Sequence, residues 1–403
     1  MKKSLLLLLT LCFLMTTIGY ATVTRVKTMG RVNHFVLDDA NVFIYPSMIV
    51  KYSDRFIFDA GEDGTLPLGL QAGVRGFNGV GGGVFYGLNQ NNHLGFYVNA
   101  NDATNGNGIA VGVPGGYTFP VTLDDFIGIF YGHDAGNLDF GVELDLAGAK
   151  TEITEPAAQK ANDKVSRMGI RAGITYDMTN GDMFNFAFTY GKTSFTDETA
   201  GATEPTTTAE ADGYGVLGVT ARFFHAMNEE LTLVPMVEWM SNTRGVSVDT
   251  DADNEMELDE QKTTNLGAGF GANIFPSKKA MIVAAFGLDL VSTETTAQGT
   301  KTGEGSTSLF PYVKGGIEAE VKSWCDFRAG VEKQLFSSSS EPEGGTHSKG
   351  KNSSFQGFVG AGFYIANLVI DVQISTNFLH RGPYFISGEA ANLNNRITLV
   401  YPF

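Results

Sequence analysis

The first residues that could do chemistry are the acids of the segment 249–260. Acids at positions 1, 3, 5 and 12 of this segment follow the spacing of an EF-hand loop, which wraps oxygen ligands around one hard cation. These four residues are Asp249, Asp251, Asp253 and Glu260. Position 6 is Asn254, where an EF-hand loop has glycine. The spacing leaves two interpretations open: a specific calcium site, or loose binding of divalent ions that bridges an extracellular loop to anionic lipid headgroups.

A second set of charged residues alternates with apolar residues. In 138–147, for example, Asp139, Glu143 and Asp145 lie on the face opposite Leu138 and Leu144. If the apolar face of such a strand meets lipid, the charged face points into a lumen. The same rule assigns these residues to a lumen lining: Asp139, Glu143, Asp145, Arg171, Arg222, Glu238, Asp289, Lys314, Glu318, Glu320, Arg328, Glu332 and Asp371.

Acids outnumber bases in this lumen set by about two to one. An acidic, water-filled pore concentrates cations and disfavours anions, so the set predicts a weakly cation-selective channel. The alternative is that the groups pair across neighbouring strands and fill the barrel. Pairs of that kind are expected between Arg328 and Glu318 or Glu320, and between Arg171 and Glu143.

Residues that would support catalysis do not form a recognisable group. The six histidines are scattered, and none follows a metal-ligand spacing such as His-x-x-x-His. The sequence has no Gly-x-Ser-x-Gly nucleophile elbow. A formal charge of -16 disfavours binding to nucleic acid, which needs clustered Lys and Arg. We therefore expect neither an enzyme nor a nucleic-acid-binding protein, and no cofactor apart from the possible calcium.

The elements that position these residues are strands joined in pairs. Period-2 alternation recurs along the 403 residues, and Gly, Asn, Asp and Pro dominate the short turns within each pair. Short turns that alternate with long polar loops are typical of a transmembrane antiparallel β-barrel, with periplasmic turns and acidic extracellular loops. The count is 16 strands, with 14 as the alternative. The predicted loops are roughly 101–123, 151–164, 196–212, 245–262, 292–306, 337–353 and 379–394.

The N-terminal residues indicate export. Lys2 and Lys3 precede an apolar run, and Ala21 ends a small-residue step that is typical of a signal peptidase site. The predicted organisation is a cleaved signal peptide at 1–21, a periplasmic or lumen-plug segment at 22–48 and the barrel at 49–403.

The last residues carry a separate signal. Ile397, Leu399, Tyr401 and Phe403 alternate to the chain end. This resembles the C-terminal strand of outer-membrane barrels, in which the terminal aromatic residue is read by the barrel-insertion machinery. The resemblance implies that Tyr401 and Phe403 form an insertion signal, and that the protein lies among the lipids of a Gram-negative-type outer membrane. A monomer and a homotrimer both remain open.

The segment ahead of the barrel resembles the N-terminal segment of fatty-acid-transporter-like barrels, including the shuttle barrel of one bacterial secretion system. The resemblance rests on the paired acids Asp38 and Asp39, the apolar stretch after them and Pro46. Tyr45-Pro46-Ser47-Met48 stands where that family has Asn-Pro-Ala-Gly. The resemblance implies a segment folded into the lumen of a barrel that handles hydrophobic ligands or protein clients. The alternative is a periplasmic tail that caps the barrel.

Three functions follow from these patterns. The leading prediction is a porin-like channel for passive diffusion of small hydrophilic solutes, preferentially cationic or neutral. The first rival is a plugged, fatty-acid-transporter-like barrel for hydrophobic ligands. The second is a secretion accessory or surface structural barrel that acts through loops such as 196–212 and 245–262.

Overall fold

The computed structural model describes nine stretches of the chain. Within them, 16 antiparallel strands close into a single barrel, in which each strand pairs with its sequence neighbours and the first pairs with the last. The prediction of an all-β antiparallel barrel with 16 strands is confirmed, and the alternative of 14 is wrong. In the part of the chain that the structure describes, no helix is long and apolar enough to cross a membrane. The described residues are 22–61, 79–100, 125–154, 160–200, 207–249, 255–297, 300–342, 347–374 and 394–403.

The regular elements follow in chain order. One helix, α1 (Val23–Thr28), and two 3-10 helices (Asp39–Phe43 and Pro46–Val50) precede the strands. The strands are β1 (Arg55–Gly61), β2 (Gly79–Gly87), β3 (Asn92–Ala100), β4 (Asp125–Asp134), β5 (Leu138–Thr154), β6 (Lys160–Asp177), β7 (Met183–Ala200), β8 (Thr207–Asn228), β9 (Leu231–Asp249), β10 (Glu255–Ser277), β11 (Ala280–Ala297), β12 (Thr300–Lys322), β13 (Cys325–Pro342), β14 (Ser348–Ile365), β15 (Leu368–Ile374) and β16 (Asn394–Pro402).

Alternation along the strands produces an apolar outer belt. On β11, Ile282, Phe286 and Leu290 are exposed on the outer face, whereas Val283 and Asp289 are buried inside. The outward apolar run on this strand matches the roughly 9–11 residues that a tilted strand needs to cross the hydrocarbon core. The belt is therefore suited to contact with lipid.

Several strands extend beyond this belt into segments that the sequence predicted to be loops. In the predicted loop 292–306, β11 continues to Ala297 and β12 begins at Thr300. These extensions have polar side chains on both faces, but their backbone groups pair across the hairpin, as in Ser306 opposite Ser292. Among the described residues, the strands from β5 to β14 have 17 to 23 residues, whereas β1 and β15 have 7 each. The predicted loops 101–123 and 379–394 lie almost entirely outside the described residues.

The barrel closes where β1 meets β16. Phe56 of β1 lies opposite Tyr401, and its ring is 4.8 Å from that of Phe403. Inside the wall at the same seam, Arg396 forms a buried ion pair with Asp59. The role of Tyr401 and Phe403 as an insertion signal stays a prediction.

Residues 22–52, called the plug below, lie inside the barrel. Helix α1 packs against β13 to β16, and the second 3-10 helix packs against β3 to β6. A capping box starts the first 3-10 helix, where Asp38 accepts a hydrogen bond from the backbone of Ala40 at 2.9 Å. Nearly every plug side chain is buried, from Thr22 to Ile49. The plug ends close to the barrel wall, since β1 begins at Arg55.

Candidate functional site

A network of buried ion pairs fastens α1 to the barrel wall. The Nε and Nη2 atoms of Arg25 donate to the two carboxylate oxygens of Glu318 at 2.6 and 2.8 Å, and its Nη1 donates to Asp38 at 3.1 Å. Arg328 donates to Glu318 at 2.5 Å and also pairs with Asp371. Two-point guanidinium–carboxylate pairing fixes both distance and orientation. The network therefore fixes α1 against β12, β13 and β15.

A single arginine of the wall holds the middle of the plug. Arg222 of β8 donates to the backbone carbonyls of His34 and Val36 at 3.3 and 3.2 Å, and to Oδ1 of Asn41 at 2.8 Å. Its guanidinium also lies 4.3 Å from the centre of the Tyr45 ring. These contacts satisfy plug carbonyls that would otherwise be buried without a partner.

The structure buries most of the lumen set. Glu318 belongs to the network just described, and Glu320 lies at the turn end of β12, where it accepts from Lys279 at 2.7 Å. The buried members are Asp139, Glu143, Asp145, Arg171, Arg222, Glu238, Asp289, Lys314, Arg328, Glu332 and Asp371.

Part of the acid excess of the wall is paired with bases of the plug. Arg31 pairs with Glu332 at 3.2 Å, and Lys51 pairs with Asp139 at 3.4 Å. Within the wall, Arg171 pairs with Glu143 at 2.6 Å. Plug residues thus contact several of these carboxylates, and the cation-selective pore stays a prediction.

The acidic segment 249–260 is only partly described. Asp249 ends β9 and lies opposite Glu255 of β10, so the two strands continue into this segment as a hairpin. Glu260 is exposed on β10. Asp251 and Asp253 lie outside the described residues, and the calcium site stays a prediction. Across the described stretches, no group of three or more His, Cys, Asp or Glu side chains is placed to hold a metal ion.

An aromatic cluster joins the plug to β2, β3 and β4. The ring of Phe43 in the plug is 6.2 Å from Phe85 of β2, 4.8 Å from Tyr97 of β3 and 5.9 Å from Phe130 of β4. The edge-to-face geometry of most of these pairs is the favoured one. Sequence reasoning missed this cluster. The available signal was Gly95, which lies opposite Phe85 on the inward face and leaves room for its ring.

The wall beside this cluster is built from glycine backbone. A Cβ at Gly81 or Gly83 would overlap the side chain of Tyr97, which covers both glycines from inside. A Cβ at Gly82, between them, would lie 3.7 Å from Phe58, which lines an open apolar groove of about 520 Å³ on the outer face. The groove is lined by Phe56, Ile57, Phe58, Gly83, Val84, Phe96, Leu368, Leu399 and Tyr401. Apolar groups thus lie on both sides of this part of the wall: buried rings on the lumen side and an open groove on the lipid side.

We predict that acidification weakens the docking of the plug through protonation of His34. Burial lowers the pKa of His34 to about 3, whereas burial raises the pKa of Asp38 to about 6. Between about pH 6.5 and about pH 3 a released plug binds a proton at His34 that the docked plug does not, so His34 makes docking weaker as pH falls. Asp38 acts in the opposite direction below about pH 6. We expect His34→Gln to be more stable than the wild type by a margin that grows from about pH 7 to about pH 5.

The check is the temperature at which the folded band disappears in heat-modifiability gels at the two pH values. A margin that is the same at both values would contradict the assignment to His34.

Comparisons with known proteins give similarity of fold only. No protein-family model and no curated protein matches the sequence. Among solved structures, a Pseudomonas aeruginosa FadL homologue matches with 11% identity and a TM-score of 0.46. The match covers 95% of this chain and 98% of that chain. The Ralstonia pickettii toluene transporter TbuX matches with 9% identity, 96% and 100% coverage and a TM-score of 0.42. The Pseudomonas putida toluene transporter TodX matches with 9% identity, 94% and 97% coverage and a TM-score of 0.39. At these values the similarity carries no argument about function.

Proposed function

We propose that this protein is an outer-membrane barrel of a Gram-negative-type bacterium that passes small hydrophobic ligands and is closed to ions by its plug. The observation that carries the proposal is the plug itself, which is buried in the lumen, packs against β3 to β6 and against β13 to β16 on opposite sides, and is bonded to the wall. The apolar belt supports a position in a bilayer, because transfer of the exposed rings and aliphatic chains of the outer face from water to lipid is favourable in free energy.

The lumen favours hydrophobic ligands over hydrophilic solutes. A porin needs a continuous water-filled path lined by polar groups. Here the turn-side half of the lumen contains a packed segment, and the aromatic cluster faces the lumen beside it. The buried cluster and the outer groove place apolar groups on both sides of a thin wall, which suits passage of an apolar molecule better than passage of an ion.

Filling the outer groove tests this route. Gly82→Val places a branched side chain where a Cβ has ordinary contact with Phe58 at 3.7 Å and a tighter one, 3.2 Å, with the carbonyl oxygen of Ile57. We expect uptake of a hydrophobic fluorescent probe such as N-phenylnaphthylamine, in cells that express the variant, to fall at least several-fold toward the level of cells without the protein. Valine suits a strand, so the barrel should still fold.

The matched control is Gly357→Val. Gly357 lies on β14, and a Cβ there meets no atom within 4 Å. Uptake by this control should equal that of the wild type. If Gly82→Val also equals the wild type while both variants reach the membrane, the groove is not on the ligand route.

A further inference from the structure

The residue that follows the predicted signal peptidase site has an unusual position for a chain start. Thr22 is only 1% exposed and lies in the lumen at the beginning of α1. Its hydroxyl donates to Oδ2 of Asp371 at 2.5 Å and accepts from the backbone nitrogen of Arg25 at 3.1 Å. A residue at a chain terminus is ordinarily solvated and poorly ordered unless something holds it. Here the side chain of Thr22 is held by a wall carboxylate.

The ion-pair network that includes Asp371 carries more carboxylates than bases. The ion-pair network joined to Asp371 contains four carboxylates and two guanidinium groups among the described residues. They are Asp38, Glu318, Asp326 and Asp371, against Arg25 and Arg328. The neighbouring Asp39 has its own partner, Arg55, at 3.4 Å. Buried charge without a counter-charge is costly, so one more cation would stabilise this network.

Cleavage would supply that cation at the right place. Hydrolysis of the Ala21–Thr22 peptide bond adds one water, which leaves a carboxylate on Ala21 and an ammonium group on Thr22. The α-nitrogen is three bonds from the hydroxyl that already contacts Asp371. An α-ammonium group has an ordinary pKa of about 7.7–8.0, and a neighbouring carboxylate favours its charged form. In the precursor the same nitrogen is an uncharged amide.

We propose that removal of the signal peptide after Ala21 creates a buried ion pair between the α-ammonium group of Thr22 and Asp371, and that this pair completes the docking of the plug. The processed N-terminus is then a functional group of the mature protein. This inference rests on the predicted cleavage site and is independent of which ligand crosses the barrel.

The first test is a double-mutant cycle on refolded protein. One protein begins at Thr22, and a second keeps Ala21 and so moves the amine by one residue, about 3.8 Å. Each is made in the wild-type background and in the Asp371→Asn background. We expect the extra residue to lower the temperature of unfolding in heat-modifiability gels in the wild-type background. In the Asp371→Asn background the same extension should have much less effect, because the carboxylate that pairs with the amine is gone. An equal loss in both backgrounds would overturn the proposal, because it would reflect crowding rather than charge pairing.

A second test needs no substitution at Asp371. The folded protein that begins at Thr22 is treated at neutral pH with an amine-reactive ester, and labelling of the terminal peptide is quantified by mass spectrometry. We expect the Thr22 amine to be protected at least tenfold relative to the unfolded chain, and the amine of the Ala21-extended protein to lose part of this protection. Labelling of Thr22 at the unfolded rate would overturn the proposal, as would a chain start other than Thr22 in protein purified from membranes.

Discussion

Replacing Gly141 with valine should turn a barrel that is closed to ions into a conducting one. Gly141 of β5 faces the plug so closely that a Cβ there would overlap the backbone of Pro46 and Ser47. Backbone cannot rotate away as a side chain does, so the plug must move or the strand must shift. Overpacking of this kind costs roughly 1–3 kcal/mol, and valine itself is favoured in strands. We therefore expect the barrel to persist and the plug to be displaced.

The measurement is single-channel conductance in a planar bilayer. The wild type should give a flat baseline, and Gly141→Val should give stable steps. A second variant, Gly330→Val, acts on the other end of the plug, because a Cβ there would overlap the backbone of Gly30 and Met29. The combined variant should conduct more often than either single variant.

The control for this experiment is again Gly357→Val, which adds the same side chain to the barrel wall away from the plug. It should stay closed. Stable conductance of the wild type would contradict the plugged interpretation and favour the porin-like channel. A folded Gly141→Val barrel that stays closed would show that the segment near Pro46 does not seal the lumen.

Truncation of Arg328 should cause the largest loss of stability. This side chain is 1% exposed and pairs with Glu318, Asp371 and Asp326. Removal of one partner from a buried ion pair costs about 3–5 kcal/mol, because it leaves buried charge without compensation. We expect Arg328→Ala to lower strongly the temperature at which the folded band disappears in heat-modifiability gels.

Two further variants make this result specific. Lys279→Ala removes an exposed pair with Glu320 and should change stability by less than about 1 kcal/mol. In the double variant Arg328→Ala with Asp371→Asn, one uncompensated charge is removed, and part of the loss should be recovered. A loss in Arg328→Ala no larger than that in Lys279→Ala would contradict the network described for α1.

The fold was predictable because alternation is a local property. Asp139, Glu143 and Asp145 alternate with apolar residues along one strand, and period 2 assigns them to one face without knowledge of any partner. The tall ends of β11 and β12 were not predictable in this way, since Ser and Thr occupy both faces there. Such segments are kept in the extended conformation by backbone hydrogen bonds across the hairpin. The polarity of the side chains gives no indication of these bonds.

The site was less predictable because its contacts are remote in sequence. Arg25 and Glu318 are 293 residues apart, and no spacing rule joins them. The lumen acids were therefore interpreted as pore lining, although their partners include plug residues. Pairs between neighbouring strands were accessible from sequence, as Arg328 with Glu318 illustrates, because register brings β12 and β13 side by side. Asp38 and Asp39 indicated the plug only through a family resemblance.

The position of the seam has a consequence for the order of assembly. The plug is followed almost at once by β1, whose partner β16 is the last strand of the chain, so Arg55 pairs with Pro402 only after every other strand exists. If the seam closes while the plug is still outside, every strand is hydrogen-bonded to both neighbours. No gap between strands then remains through which the plug could enter the lumen. Sideways entry through the wall is therefore possible only before the seam closes. A plug that is still outside at that point would have to enter through the turn end of the barrel, and until it docks the barrel would be leaky to ions.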